Sequence, residues 1–549
     1  MLRQLIEPAQ TYADLYDGFR WDLPPLSNIA YEICDRHAED PDCLALIHDV
    51  GEEVKYYSFR EIQLLANRFA NALTSLGLSR GDRLMVYLPQ HPVTAIAHVA
   101  AWKMGLITIP TSILFGVDGL EYRLNNAQVS ALVTDSQNMS KILEVRSQAP
   151  SLKHIFVIDG PAPAGTHAFD EVIGRSSDQF ETLMLPLDTP AMINYTSGTT
   201  GWPKGTLQGH RIAFGHAPGL EVLFDFFPQE GDRMWSPADW AWLGGIGNTL
   251  IGGWFHGVPL LVFPMAGFDP ELTLRMMGRH KIRNAFLTPT MFKLLRPFGH
   301  LVEQYGVRLR SIISGSEAVG ADLLHSMLEI FKASINEGFG QTEANVVMGN
   351  CQRLDHSRIG SIGTALPGHE VAIIDDDGNL LPPNEIGHLA IRSPDPVMML
   401  EYWNDPEATA KKFIGDWMIT GDLAHMDQDG FYWFQGRGDD VITSSGYRIG
   451  PAEIEDAILR HPAVKLTAVI GVPDPERTEI IRAYIVLSEG FEGTEALADE
   501  IRRSVRDRLA KHEYPRQLRF VSSLPMTTTG KILRRELREE AKAELAAKS

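Results

Sequence analysis

Between Tyr195 and Gly205 the chain reads YTSGTTGWPKG, directly after the apolar run AMIN. Glycines and small hydroxyl residues let successive backbone N–H groups converge on phosphate oxygens, and Lys204 supplies a mobile positive charge. A loop for nucleotide phosphates is one reading, and a Gly/Thr-rich surface turn is the other that composition allows. The pattern is not GxxxxGK[ST], because the fifth residue after Gly198 is Pro203, and that proline also argues against a helix running through Lys204. Further chemistry-bearing residues follow: Glu343 in GFGQTEAN, Asp422 and Arg437 in the run from Trp417 to Glu455, and Lys531 directly after Gly530. Taken singly, each has an ordinary explanation. Glu343 would be solvated, Asp422 a cap or turn residue, and Lys531 a charge at the start of a helix.

The elements that must position these groups are legible as periodicity. EIQLLANRFANALTSLG places Ile62, Leu65, Phe69, Leu73 and Leu76 on one helical face, with Gly77 as the stop. Strand-like RLMVYLP, LITIP, ALVTD and KHIFVID alternate with helical stretches, the rhythm of a layered α/β fold. The last hundred or so residues change to a short helix, two strands and the charged helix LADEIRRSVRDRLAKH, which predicts a small α+β domain. The boundary falls in GRGDDV, so a large N-terminal domain over 1–438 and a small mobile C-terminal domain over 439–549 are expected.

Composition narrows the class. With 549 residues and 44% hydrophobic content, the chain exceeds one core and needs at least two domains. A formal net charge of −20 disfavours nucleic acid or an anionic membrane as the main partner, so anionic ligands must meet locally placed cations or backbone N–H groups. The N-terminus has acids and a proline where an export signal would be apolar, and the most apolar run, AIAHVAAWKMGLITIP, holds His98, Lys103 and Pro110. It reads as a buried helix entering a strand, in a cytoplasmic protein without integral membrane association. Cys34, Cys43 and Cys351 lack the spacing of a disulfide framework or a zinc site.

In order along the chain, these motifs resemble those of the adenylate-forming superfamily, which contains acyl-CoA synthetases, luciferases and peptide-synthetase adenylation domains. The 195–205 loop is similar to its signature loop, with only Trp202 at a variable position. The resemblance implies that Thr196, Ser197, Gly198, Thr199, Thr200, Gly201 and Lys204 bind the ATP phosphates. Gly315, Ser316 and Glu317 in SGSEAVG resemble the adenine turn, with Ala318 where proline is frequent. In Gly338, Phe339, Gly340, Gln341 and Thr342 it implies adenine stacking on Phe339 and an α-phosphate contact from Thr342, with Glu343 holding Mg²⁺. Asp422 would take the ribose hydroxyls beside Arg437, and Asp439 would be the hinge. Ser445, Gly446 and Arg448 in SSGYRIG would serve coenzyme A, and Lys531 would be the catalytic lysine of the C-terminal domain, acting with Lys204 and Thr342.

The implied reaction joins a carboxylic acid to ATP as acyl-AMP and then to coenzyme A. An adenylating ligase with a carrier protein or oxygen as acceptor is an alternative, and a non-catalytic nucleotide-binding protein is another. Acetate-specific relatives carry a tryptophan where this chain has Gly340. With Gly244 and Gly315 also glycine beside Trp242 and Leu243, a deeper pocket for a medium-chain, branched or aromatic acid is expected. Backbone packing at these glycines is the competing explanation. The sequence leaves the oligomeric state open, a homo-oligomer included.

Overall fold

The computed structural model describes residues 2–196, 203–263, 265, 267–317, 319–438, 440, 442–444, 447–474, 478–506, 514–526 and 532–546. The chain divides into two compact units, Met1–Val371 with Arg392–Asp416, and Ala372–Ile391 with Trp417–Ser549.

The first unit holds two large mixed sheets. Ile107–Pro110, Arg83–Tyr87, Ala131–Thr134 and His154–Val157 run parallel at the centre of an eight-stranded sheet, and they are almost wholly buried because helices cover both faces. Its other side continues through Pro190–Tyr195, Gly205–Gly209 and Glu401–Tyr402, the last two joins being antiparallel. The nine-stranded sheet has a parallel middle through Asn284–Phe286, Ser311–Ser314 and Ser334–Gln341 and then turns antiparallel at Ala344–Gly349.

The predicted helix is Phe59–Ser75. Glu61 N donates to the Ser58 hydroxyl at 3.2 Å and Ser58 N to the Glu61 carboxylate at 2.8 Å, a capping box that fixes where the helix starts. Ile62, Phe69 and Leu73 are fully buried, and Gly77 leaves the helix at φ +88. The apolar run forms helix Pro92–Lys103 followed by strand Ile107–Pro110, with Lys103 neutralised by Asp35 Oδ1 at 2.5 Å and bonded to Thr182 Oγ1 at 2.9 Å. Among the described residues no helix is long and apolar enough to cross a membrane.

In the second unit Trp417–Met426 pairs antiparallel with Tyr432–Arg437. A five-stranded sheet follows, with Val464–Asp474 and Thr478–Leu487 as its long antiparallel pair and Gln517–Phe520 parallel to the latter. One face packs Ile481 and Ile485 against Ile454, Ile458 and Ile501 of helices Pro451–Leu459 and Glu495–Arg506. The other packs Ile470 and Tyr484 against Leu537 and Ala541 of helix Arg534–Ala546. The expected pairing of a large α/β portion with a small α+β portion is thus the observed architecture.

Candidate active site

The phosphate-loop candidate joins two antiparallel strands, with Tyr195 opposite Gly205. Thr196 N donates to Lys204 O at 2.8 Å, and the Tyr122 hydroxyl donates to Pro203 O at 2.9 Å, so both ends of the loop are pinned. Ser197, Gly198, Thr199, Thr200 and Gly201 lie outside the described residues. Past Lys204 the chain enters a strand, as Pro203 foretold.

Gly338–Gln341 and Ala344 form the two arms of a hairpin whose tip is Thr342 and Glu343. The segment Met398–Tyr402 stitches this tip to the edge of the other sheet. Met399 N donates to Glu343 O at 2.7 Å, Leu400 N to Leu207 O at 2.7 Å, and Tyr402 pairs with Thr206. Gln208, on the same strand, donates through Nε2 to Thr342 O at 2.8 Å. Lys204 and Glu343, 139 residues apart in number, therefore meet around Tyr402. The Lys204 ammonium lies 5.2 Å from the Tyr402 ring centre, and the Tyr402 hydroxyl donates a short hydrogen bond to Glu343 Oε1. Lys412 Nζ donates to Gln341 Oε1 at 3.0 Å and stands 4.0 Å from Glu343 Oε1. A cavity of about 370 Å³ opens beside Lys204, Tyr402 and Lys412.

Among the described residues no three His, Cys, Asp or Glu side chains gather to enclose a metal. A single carboxylate such as Glu343 suits Mg²⁺, which keeps several waters and takes its remaining oxygens from phosphates. Phe339 is half-buried, whereas Ser316 and Glu317 are exposed and Gly315 is buried.

Behind the hairpin a polar network is sealed from solvent. His216 Nδ1 faces the Ile212 carbonyl at 2.9 Å, which can only accept, so Nε2 is the acceptor for Asn345 Nδ2 at 2.7 Å. The second Asn345 Nδ2 hydrogen goes to Asn248 Oδ1 at 2.7 Å. Burial pushes the His216 imidazole down to about 4, which keeps it neutral and the network intact at pH 7.

The three pocket glycines differ in kind. A Cβ on Gly340 would lie 2.1 Å from Val346 N, and one on Gly315 would lie 2.7 Å from Gly338 O. Both are glycine because neighbouring backbone passes too close for any side chain, and Gly340 sits where the hairpin register shifts. Gly244 is different: its nearest neighbours would be Phe286 ring carbons at 3.8 and 3.9 Å, an ordinary contact. Of the three, Gly244 is thus the one with side-chain room around it, beside buried Leu243 and a Trp242 ring that meets Phe115 edge-on at 5.8 Å.

In the second unit Asp422 and Arg437 are register partners, with Arg437 Nη1 3.1 Å from Asp422 Oδ1. The aspartate side chain is 6% exposed and the arginine 42%, so the pair presents a guanidinium outward and a held carboxylate within. Asp439, Ser445, Gly446 and Lys531 lie outside the described residues, and Arg448 is placed by its backbone on strand Tyr447–Ile449. The segment carrying Lys531 is flanked by a bridge between Met526 and Ile532. Sequence reasoning missed Tyr402, Gln208 and Lys412, whose importance arises only when strand Glu401–Tyr402 pairs with Gly205–Gly209.

Comparison with known proteins identifies the family. Residues 34–403 match the model of the AMP-binding enzymes and residues 453–531 that of the AMP-binding enzyme C-terminal domain. An acetyl-coenzyme A synthetase of Bacillus subtilis is 34% identical over 520 residues, covering 93% of this chain and 90% of that protein. A mitochondrial acyl-coenzyme A synthetase of Rattus norvegicus is 34% identical over 536 residues, covering 94% and 91%. The crystal structure of an anthranilate CoA ligase in complex with anthranoyl-AMP superposes with a TM-score of 0.87 at 30% identity, covering 96% of this chain and 99% of that one. The chain belongs to the AMP-binding enzyme family, in its branch of AMP-forming acyl-coenzyme A synthetases. Enzymes of this branch are acid–thiol ligases that use ATP, Mg²⁺ and coenzyme A.

Proposed function

We propose that the chain activates a medium-chain, branched or aromatic carboxylic acid with ATP and transfers the acyl group to coenzyme A. The observation that supports the activation step is the junction at Tyr402, which has the lysine of the phosphate loop near its ring and the Glu343 carboxylate on its hydroxyl, with a cavity of about 370 Å³ beside Lys204.

In the first step a carboxylate oxygen attacks the α-phosphorus, and the bond to the bridging oxygen breaks. Pyrophosphate leaves with that oxygen, and acyl-AMP remains. Two anions must approach one another, so the barrier is chiefly electrostatic. Lys204 and the hydroxyls of its loop meet the β- and γ-phosphates, Thr342 and Lys531 the α-phosphate, and Lys531 also the incoming carboxylate. Mg²⁺ on Glu343 supplies further neutralisation of the phosphates. Phe339 stacks on adenine, and Asp422, oriented by Arg437, accepts the ribose hydroxyls.

For thioester formation the coenzyme A sulfur attacks the acyl carbon and AMP leaves. A hinge at Asp439, between domains 1–438 and 439–549, withdraws Lys531 and brings Ser445, Gly446 and Arg448 to the thiol arm. Arg534 and Arg538, just beyond Lys531, are ion-paired to Asp440 at 3.5 and 2.6 Å, which supports transmission of a turn at the hinge to the lysine segment. The Gly244 space favours acids larger than acetate, and the cytoplasm is the proposed compartment.

Acid-dependent exchange of pyrophosphate into ATP across an acid panel, with AMP release measured with and without coenzyme A, tests the reading. Exchange with medium-chain or aromatic acids and release that depends on coenzyme A are expected. Release indifferent to coenzyme A would point to another acceptor, and absence of exchange would leave a non-catalytic nucleotide-binding protein.

A further inference from the structure

The polar network behind the hairpin ends in a free edge of fixed chemistry. His216 Nε2 can only accept, so the Asn345 group 2.7 Å from it is the Nδ2 amide. The other Asn345 Nδ2 hydrogen goes to Asn248 at 2.7 Å, which must offer Oδ1 in return. One histidine tautomer thereby orients two amides in turn. What is left over is an acceptor, Asn345 Oδ1, and a donor, Asn248 Nδ2, and among the described residues neither has a hydrogen-bond partner. Asn248 is 4% exposed and Asn345 7%, so bulk water scarcely reaches them. Polar groups held in so dry a place without partners are destabilising until something pairs with them.

The edge belongs to the segment that carries Gly244. Trp242 and Gly244 are half-buried within 240–251, a stretch otherwise buried, and Asn248 follows Gly244 by four residues, about one turn on and on the same face. Here helix Leu243–Gly245 widens into the π-helix Ile246–Ile251, a rare form that recurs at functional sites. Gly247 allows the close approach, since a Cβ there would stand 2.8 Å from His216 Nε2 and 3.2 Å from Asn345 Nδ2. Asn345 itself lies on strand Ala344–Gly349, two residues beyond Glu343.

We propose that Asn248 and Asn345 are specificity residues for a hydroxylated acid, its tail hydroxyl donating to Asn345 Oδ1 and accepting from Asn248 Nδ2. The inference rests on the adenylation reading and names the class of acid within it. A hydroxyl is the smallest group that both donates and accepts. The edge is neutral, so a charged tail would leave water without an opposite charge to meet it. A plain hydrocarbon tail would leave both amide groups unpaired, and that penalty is the source of the selectivity.

The test uses the full chain and acids matched in skeleton, the hydroxybenzoates against benzoate and the hydroxyhexanoates against hexanoate. In acid-dependent exchange of pyrophosphate into ATP, kcat/KM for the best-placed hydroxy acid should exceed that of its parent by about tenfold or more. Asn248→Leu removes the donor at similar size and should erase the preference, lowering kcat/KM for the hydroxy acid and raising it for the parent. The KM for ATP should stay within about twofold, which a general distortion of the hairpin carrying Glu343 would not spare. Calorimetric binding of each matched pair reads the same preference without turnover, and neither comparison in the unaltered protein depends on a variant that folds. Parent acids used as well as every hydroxy acid, or a preference that survives Asn248→Leu, overturns the assignment and leaves the edge a structural contact only. If no acid supports exchange, the adenylation reading fails, while the calorimetric comparison still decides whether the edge takes a hydroxyl.

Discussion

Replacing Gly340 and Gly244 should have opposite consequences. An alanine methyl at position 340 would lie 2.1 Å from Val346 N and 2.9 Å from Asn345 C, both main-chain atoms that can yield only if the hairpin carrying Glu343 moves. Overpacking of this kind costs about 1–3 kcal/mol, which for a compact unit of this size lowers the melting temperature by roughly 1–4 °C. Because the strain falls between Phe339 and Glu343, exchange activity should fall with every acid alike. At Gly244 the first contacts stand at 3.8 and 3.9 Å, so alanine should be nearly silent in stability. Leucine there would reach into the space beside Phe286 and lower kcat/KM for longer acids relative to propionate by roughly 10–200-fold for each methylene excluded. Thermal unfolding and exchange over a series of acid lengths measure both. If Gly340→Ala keeps the native melting temperature while narrowing acid choice, or Gly244→Leu leaves the chain-length profile untouched, the division between backbone glycines and a pocket glycine is refuted.

Lys531→Ala should abolish acyl-AMP formation yet leave thioester formation from supplied acyl-AMP largely intact, and equal loss of both steps would contradict a swing at Asp439. Tyr402→Phe removes the hydroxyl that orients Glu343 and should raise the Mg²⁺ concentration for half-maximal exchange by about tenfold, as loss of an outer-shell partner does; an unaltered Mg²⁺ curve would remove that role. Burial pushes His98 and His210 down to about 3 and His216 to about 4, so each is neutral in the fold but gains a proton in the unfolded chain below about 6.5. Their folded pKa values are depressed, hence stability held above pH 6.5 is lost as the pH falls from there toward 4. The melting temperature should drop between pH 7 and 5, and His98→Met should make that drop shallower; an equal slope would show that His98 titrates normally.

Much of this architecture could be read from residue order, because its elements carry strong local instructions. The helix over Phe59–Ser75 has its cap, its apolar face and its glycine stop in sequence, and the buried run around Lys103 announced its interior place by being apolar on all sides. Lys204 and Glu343 were singled out by the company they keep, and the fold brings both to Tyr402. Tyr402 and Lys412 were not, since YWNDPEATAKKF looks like any polar helix start until strand pairing sets Tyr402 beside strand Gly205–Gly209. Nor could spacing separate a glycine that makes room for a substrate from one that makes room for backbone. That distinction depends on what lies opposite, across a hairpin register that shifts within the motif itself.

Lys204 leads into strand Gly205–Gly209, so among the described residues the proposed phosphate loop does not open onto a helix whose macrodipole could face the polyphosphate. Side-chain ammonium groups must supply much of the attraction that fixed peptide dipoles provide elsewhere. Such charges are mobile and easily screened, and nucleotide affinity in this protein should accordingly weaken with rising ionic strength more than in enzymes whose phosphate loop opens onto a helix.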